Sequence, residues 1–411
     1  MAVESLSRLP LIFAESPLPD VPFSANGRVL LSDGTIALNG LTARSGQSDL
    51  GGDIRFAYKD RRRLQADLSG EVLDLSPWIP EQAEPTADGT AISAVDQPIN
   101  LQRFREFDGE VRLDIKRLIA PPVELDQFLL EAKLDRSLFD ISVKTSEGSS
   151  KHTVQLDARK DVAIVAVGAS IRGLNMDDLK PAGAIATRSK APRLSGRAKL
   201  VGAGKTLREI RESFVGHVLV FMGPGKIGTG KSPFVIQAVS ADLLTTLVPG
   251  RNKADEYSEL ECAAAYFDVK DGVASSPDGI ALRFKRVDIL GSGAINLATR
   301  EILFGFKAVR RKWFSLSFLD LAGDFAKIEG TLDQPKVGLD AGNVLVQGGA
   351  AWATLGVSLL ATNFFRRMSA ADDPCAEIVR IGRTAANPVD ALTDALRKNL
   401  PLPGGTKKKP Q

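Results

Sequence analysis

The chain has 411 residues, enough for two or three ordinary domains or for one elongated domain. Charged residues make up 25% and apolar residues 44% of it, which is typical of a folded protein. The 53 basic and 50 acidic side chains leave a formal net charge of +3, and this balance argues against nucleic acid as the main partner. Two cysteines and two histidines are too few for a disulfide-rich scaffold or a zinc centre.

Residues 1–22 form a proline-rich lead-in. Pro17, Pro19 and Pro22 prevent a regular helix there. The stretch lacks the basic region of a secretory signal, and it lacks the run of about 20 apolar residues that a membrane helix needs. We therefore expect neither a signal peptide nor a membrane span in this stretch.

From residue 23 onward, apolar and polar residues alternate in short runs separated by turn residues, as in half-buried strands. A Ser-Asp-Gly turn and later Asp-Gly pairs indicate tight hairpins. The spacing of helix-crossover units is absent, so we expect an antiparallel meander. A polar linker is predicted at 81–100 and a short helix at 206–214. The strands group into four blocks, 23–80, 103–181, 194–249 and 259–340.

The ends of the first three blocks resemble one another. Each end, at 73–80, 174–181 and 241–249, has Asp or Asn before apolar residues and then a proline, as in a short helical turn. Strand openings of the form G-x-V-x-L also recur. These repeats predict a mainly β fold, an elongated and twisted antiparallel sheet over 23–340 that curls into a hydrophobic groove, with few short helices. Two unrelated β domains remain the alternative.

The pattern changes after residue 340. Residues 341–365 carry no charge and could form a helix that packs on the sheet, lies at a membrane surface or spans a membrane. A short amphipathic helix follows near the C-terminus. We therefore predict a helical segment over 341–400 and a disordered tail over 401–411.

One stretch matches the phosphate-loop pattern G-x-x-x-x-G-K-[ST]. It reads G-K-I-G-T-G-K-S, from Gly225 to Ser232. A phosphate loop requires a helix that begins at its last residues, but Pro233 follows at once and the next residues are β-like. Nucleotide binding is therefore the least favoured interpretation.

The sequence offers no other recognisable catalytic arrangement. His152 and His217 lie far apart in predicted strands, where surface or packing roles are typical, and no nucleophile–base spacing accompanies them. The three arginines at 61–63 occupy a predicted turn, where a solvated loop is the default and contact with lipid headgroups the minority interpretation. We therefore expect no enzyme activity, cofactor or metal.

The fourth block resembles the C-terminal region of the AsmA family. The resemblance rests on the order of its motifs: E-C-A-A-A-Y-F, a D-G turn, I-L-G-S-G-A-I-N-L, and finally G-T-L-D-Q-P-K-V. It is strongest over 259–380, fair over 17–80 and weaker between them. It implies a periplasmic protein of a Gram-negative cell, tethered to the inner membrane, whose β-groove moves phospholipid towards the outer membrane. Members usually begin with a membrane helix, so we expect this chain to be part of a longer protein or a member without its anchor.

A lipid groove needs a continuous apolar lining. An acyl chain of 16 carbons costs roughly 12 kcal/mol in water, at about 0.8 kcal/mol per CH₂. Period-two strands supply one lining face each, although the same pattern also marks an ordinary core. An assembly factor for outer-membrane proteins, acting through exposed sheet edges, remains an alternative. The candidate lining residues are Ile54 and Phe56, Val111, Leu113 and Ile115, and Ile302, Phe304 and Phe306.

The resemblance also implies a disulfide. Cys262 and Cys375 match cysteines of the family's C-terminal region, and the periplasm is oxidising. The bond would hold the uncharged helix and its D-D-P-C loop against the sheet. Two buried free thiols are the alternative.

Overall fold

The computed structural model shows one long β-sheet that carries a few short helices. This confirms the predicted fold class, mainly β with mostly antiparallel pairing. The structure describes residues 2–3, 20–59, 61–78, 94–121, 123–145, 149–175, 180–181, 191–228, 257–285, 287–310, 325–332, 334–340, 367–368 and 370–384. The predicted uncharged stretch 341–365, the block end 241–249 and the tail 401–411 lie outside these residues.

The described residues form twenty strands, which we number in chain order. They are β1 Ala2–Val3, β2 Phe23–Ser32, β3 Thr35–Ser45, β4 Ser48–Ala57, β5 Arg62–Asp74, β6 Phe107–Ala120, β7 Val123–Asp135, β8 Leu138–Thr145, β9 Ser150–Asp157, β10 Ala163–Asn175, β11 Lys180–Pro181, β12 Arg193–Gly204, β13 Val215–Met222, β14 Gly225–Gly228, β15 Tyr257–Lys270, β16 Val273–Phe284, β17 Val287–Asn296, β18 Glu301–Arg310, β19 Phe325–Thr331 and β20 Pro335–Asp340.

Most strands pair with the next strand along the chain, as the meander prediction requires. Tight turns make this possible: Asp33 and Gly34 join β2 to β3, and Gly34 has a φ of 78°, which favours glycine. One ladder differs from the prediction, because β5 and β6 pair in parallel. The start of β6 therefore lies beside the start of β5, with Phe107 paired to Arg62.

Two short strands interrupt the simple order. β11 returns to pair with the first residues of β7, so β10 pairs directly with β12. β13 and β14 share one edge of β15, at its later and earlier residues respectively. The sheet therefore stays continuous from β1 to β20.

Helices are few among the described residues. Two 3-10 turns span Ser76–Trp78 and Ala94–Asp96, and the α-helices are α1 Leu101–Glu106, α2 Leu207–Glu212 and α3 Pro374–Thr384. The predicted helix at 206–214 is confirmed as α2. Thr206 caps it, since its Oγ1 accepts a hydrogen bond of 3.1 Å from the Glu209 amide.

Helix α3 lies within the predicted helical segment 341–400, and its first turn contains Cys375, which the sequence placed in a D-D-P-C loop. Asp373 caps it, because its Oδ1 accepts a hydrogen bond of 3.0 Å from the Ala376 amide. Its buried residues Cys375 and Ile378 pack on β13, β15 and β16, together with Leu219, Tyr266 and others. Helix α3 thus covers one face of the C-terminal part of the sheet.

Candidate hydrophobic groove

One row of directly paired residues crosses the sheet and contains only apolar side chains and glycine. Paired residues in neighbouring strands lie on the same face, so the row can be followed from strand to strand. Its members are Val29, Leu38, Ile54, Ala66, Val111, Ala132, Ile141, Val154, Val167, Leu200, Gly216, Val269, Ala274, Ile295, Ile302, Gly330 and Pro335. At about 4.8 Å per strand, the row is on the order of 75 Å long along the sheet. We call this side of the sheet the apolar face.

The row includes members of all three groups of predicted lining residues. Within a strand, every second residue lies on the same face, so the other members of each group lie there too. The structure therefore brings Ile54, Phe56, Val111, Leu113, Ile115, Ile302, Phe304 and Phe306 onto the apolar face. Sequence alternation alone could not show that groups from different blocks share one face.

The opposite side, which we call the outer face, is polar over most of the sheet. A row one residue away from the apolar row consists of Asp53, Asp67, Arg112, Glu131, Ser142, Thr153, Gly168, Lys199, His217, Asp268 and Ser275. The difference between the two rows means that the sheet is amphipathic as a whole. Water can solvate the polar side chains of the outer face. The apolar side chains of the other face are stabilised only when another apolar group covers them.

The sheet curves towards its apolar face. Phe267 lies in β15 and Phe304 in β18, three strands apart, which corresponds to about 14 Å in a flat sheet. Their ring centroids are nevertheless 6.3 Å apart, and the rings meet edge to face. The Phe304 ring leans across Gly293 of β17, where a Cβ would lie 2.4 Å from its Cδ1, and this lean together with a concave apolar face accounts for the contact.

Burial along the apolar face changes from one end of the sheet to the other. In β15–β19 the face is a closed core, where Ile302, Phe304 and Phe306 expose only 5–8% of their surface. In β4–β6, Ile54, Phe56, Val111 and Leu113 are half-buried, whereas Ile115 is fully buried. At the β2–β3 end the apolar side chains are largely exposed: Val29 by 59%, Leu31 by 76% and Ile36 by 40%.

Helices α1 and α2 lie on the apolar face near the end of β9, the start of β10 and the end of β12. Leu101 of α1 and Ile210 of α2 form a core cluster with Ala158 and Ala163, and Phe104 meets Phe139 at 5.7 Å. Glycine permits the close approach of α2, since a Cβ at Gly204 would lie 2.6 Å from the Glu209 Cβ. The two helices therefore cover the margin of the apolar face at the middle strands β9, β10 and β12.

An ion pair joins α2 to the 3-10 turn before α1. The Arg208 guanidinium donates hydrogen bonds to both carboxylate oxygens of Asp96, which lowers the pKa of that carboxyl. The pair links two segments more than a hundred residues apart in sequence. It thus attaches the segment that leads into α1 to α2, where the two helices cover the apolar face.

Of the three arginines predicted to occupy a turn, Arg61 lies in the turn before β5, whereas Arg62 and Arg63 belong to β5 itself; Arg61 pairs with a buried carboxylate. Arg61 Nε lies 2.6 Å from Asp108 Oδ2, and the Arg136 amide donates to Asp108 Oδ1 at 3.0 Å. Burial raises the pKa of Asp108, but the hydrogen bonds from Arg61 and Arg136 outweigh it, so the pKa lies below its ordinary value. The turn that precedes β5 is thereby attached to the start of β6.

Two further sequence motifs have a definite place in the fold. Gly225–Gly228, the first half of the phosphate-loop match, forms β14, and its second half lies outside the described residues. Ser150 and His152 share the apolar face of β9, with Ser150 Oγ 2.6 Å from His152 Nε2, a contact that the sequence analysis missed. Within the described chain no carboxylate is hydrogen-bonded to His152, so the pair lacks the third group that orients a catalytic imidazole.

The predicted disulfide is confirmed. Cys262 of β15 and Cys375 of α3 are bonded, with a sequence separation of 113 residues. The bond attaches the first turn of α3 to the outer face, whereas the sequence placed Cys375 in a loop. None of the helices in the described ranges has the length and apolar composition needed to cross a membrane.

Comparison of the chain with protein-family models, with curated proteins and with solved structures gave no match. The geometry of the sheet is therefore the basis on which a function can be argued.

Proposed function

We propose that this protein is a periplasmic, AsmA-like envelope-biogenesis protein that holds phospholipid acyl chains along the apolar face of its sheet and conducts them between the inner and outer membranes. The observation that carries the proposal is the unbroken apolar row from Val29 to Pro335. An ordinary core needs apolar side chains only where another layer covers them. Here the row continues through β2–β7, where the side chains are half-buried or exposed.

The free energy gained by burying apolar surface agrees with an acyl-chain ligand. Removing apolar surface from water contributes about 25 cal/mol per Å², so a chain lying along several strands gains several kcal/mol. A concave face increases the area that one chain can cover. The contact between Phe267 and Phe304 indicates such curvature in the C-terminal part of the sheet.

The disulfide supports the proposed compartment. The two cysteines in the chain pair with each other, as expected where thiols are oxidised, and disulfides are rare in the cytosol. Tethering to the inner membrane rests on the family resemblance alone.

Lipid analysis of the purified protein tests the proposal. The chain should be isolated from the periplasm of a Gram-negative host and examined by native mass spectrometry, with lipid extraction in parallel. We expect phospholipid bound in a defined ratio to protein. A protein that carries no phospholipid when isolated without detergent would contradict the proposal.

A second candidate, an assembly factor for outer-membrane proteins, is favoured by the edge strand β2. Among the described residues, β1 covers this edge at Phe23 and Ser24 alone, and further along the strand Leu30 and Leu31 are 49% and 76% exposed. Exposed apolar edge strands can pair with a strand of another protein. Photo-crosslinking from Leu30 distinguishes the two functions, because adducts with outer-membrane proteins would support assembly and adducts with lipid would not.

A further inference from the structure

The outer face carries an open cavity of about 930 Å³ that has no part in the apolar groove. It lies between α3 and strands β10, β12, β13, β15 and β16, on the opposite side of the sheet. Its size is that of a site for a ligand larger than a single small ion, since ligand pockets span about 300–1,000 Å³. We propose that this cavity binds an anionic amphiphile, with a phosphate group held by arginines and an apolar part against the sheet.

The charge of the cavity is the first ground for the proposal. Four arginines line it, Arg172, Arg197, Arg283 and Arg383, against two carboxylates, Glu261 and Asp373. They come from β10, β12, β16 and α3, so the fold assembles this charge from distant parts of the sequence. Arginine is suited to phosphate because its planar guanidinium donates two parallel hydrogen bonds.

One arginine is already compensated by protein groups. Arg283 Nε lies 3.4 Å from Glu261 Oε2, and Arg283 Nη1 lies 3.6 Å from Asp373 Oδ1 and donates to the Asp372 carbonyl at 2.6 Å. Its side chain is 14% exposed. Arg283 therefore stabilises the start of α3, and the other three arginines are the ones that would bind the ligand.

The remaining three guanidinium groups lack a carboxylate partner within the described part of the chain. Arg197 donates to the Gly382 carbonyl in the last turn of α3 at 2.8 Å, a neutral contact. Arg172 and Arg383 are exposed. Arg197 pairs with Ser170, and Arg172 follows Ser170 by two residues at a β-bulge in β10, so both arginines line the same cavity. An anion between these groups would neutralise charge that the described residues leave uncompensated.

The apolar part of the cavity is the second ground. Leu219, Phe221 and Val379 line it as well, and they belong to the cluster between α3 and the sheet. Arginines and apolar side chains together suit a ligand with a charged head and an apolar tail. The walls are a sheet face and the side of a helix, with no free strand edge among their described residues, so an extended peptide would find no ladder to join.

The test is calorimetric titration of the disulfide-bonded chain with three probes: dihexanoyl phosphatidic acid below its micellar concentration, dihexanoyl phosphatidylcholine, and inorganic phosphate. We expect phosphatidic acid to bind at one site per chain, at least tenfold more tightly than either other probe. Binding should weaken as salt is raised, because the arginines at the rim are exposed. Inorganic phosphate binding as tightly as the lipid, or no phosphatidic acid binding, would overturn the proposal.

Matched variants locate the site. Arg172→Gln/Arg383→Gln should weaken phosphatidic acid binding at least tenfold, whereas Arg28→Gln/Arg55→Gln, which removes the same charge from exposed outer-face positions of β2 and β4, should leave it unchanged. Both variants should keep the unfolding midpoint of the wild type. Equal weakening in both would indicate unspecific attraction and overturn the proposal.

A groove variant separates this site from the proposed function. Val111→Gln/Leu113→Gln changes only the apolar face and should leave the arginine-dependent binding intact. If instead this variant abolishes phosphatidic acid binding while the arginine variant does not, the lipid lies in the groove and the outer-face site is wrong. The outer-face site can fail in this way while the groove proposal stands.

Discussion

Single side chains on the apolar face differ in what they can report about a ligand. Phe304 is 8% exposed and packs against Phe267 and Phe306, so its replacement would disturb the core as well as any lipid contact. Val111 and Leu113 are half-buried, and their paired neighbours are also apolar. Substitutions at β6 therefore separate binding from folding more cleanly than substitutions at β18.

We predict that Val111→Gln/Leu113→Gln lowers the phospholipid retained per chain at least threefold, because two amides replace apolar lining along the path of the acyl chain. Lipid extraction followed by quantitative mass spectrometry measures the ratio. Glu110→Gln/Arg112→Gln is the matched control, since it places the same two side chains on the outer face of β6. Equal retention in both variants would mean that β6 does not line the lipid site.

Asp108 is the charged residue whose removal should cost most at the start of β6. Asp108→Asn replaces a buried carboxylate, which accepts hydrogen bonds from Arg61 and from the Arg136 amide, with a neutral amide. We expect a loss of about 1.5 kcal/mol in the free energy of unfolding, towards the low end for charged hydrogen bonds because Arg61 is 41% exposed. Denaturant unfolding at neutral pH measures it, and an unchanged midpoint would contradict it.

The same carboxylate gives a signed pH dependence. Its pKa is lower in the folded protein than in the unfolded chain, so its contribution is complete above the unfolded pKa and is lost as the pH falls towards the folded pKa. The stability difference between wild type and Asp108→Asn should therefore shrink in acid. A difference that grows as the pH falls from neutrality would show that the assigned direction is wrong.

At the scale of elements, the contact of α2 with β12 depends on a missing side chain. A Cβ at Gly204 would meet Glu209 Cβ at 2.6 Å, and at Gly223 it would meet nothing within 4 Å. We predict that Gly204→Ala destabilises the protein by about 1–3 kcal/mol through overpacking, whereas Gly223→Ala has little effect. Thermal unfolding of the two variants decides between them, and similar midpoints would contradict the close packing of α2.

Helix α3 depends on its disulfide for attachment to the outer face. In the chain-entropy model, closing a loop of about a hundred residues contributes about 4.7 kcal/mol, an upper figure. We predict that Cys262→Ser/Cys375→Ser lowers the free energy of unfolding by several kcal/mol and increases hydrogen exchange in Pro374–Thr384. Unchanged exchange in α3 would show that packing through Ile378 is sufficient to hold it.

At the scale of the whole molecule, alternation in the sequence predicted strands, their grouping and the one-face sets, because a period of two is a local property. The pairing of Ala66 with Val111 in a parallel ladder was not predictable, since it depends on where the chain returns after residue 106. The cavity of Arg172 and Arg383 was missed for the same reason: its two exposed arginines are far apart in sequence. Continuity of the apolar row is likewise a property of register between strands, which no single strand carries.

The central claim is that lipid lies along the apolar row, and site-specific photo-crosslinking tests it most directly. A photoreactive phenylalanine analogue should be placed in turn at Leu38, Ile141 and Val154 on the row and at Arg55, Glu131 and Gln155 on the outer face, in protein exported to the periplasm. We predict phospholipid adducts, identified by mass, at all three row positions and at none of the three outer-face positions. Adducts at outer-face positions with equal yield, or no adduct anywhere on the row, would contradict the claim.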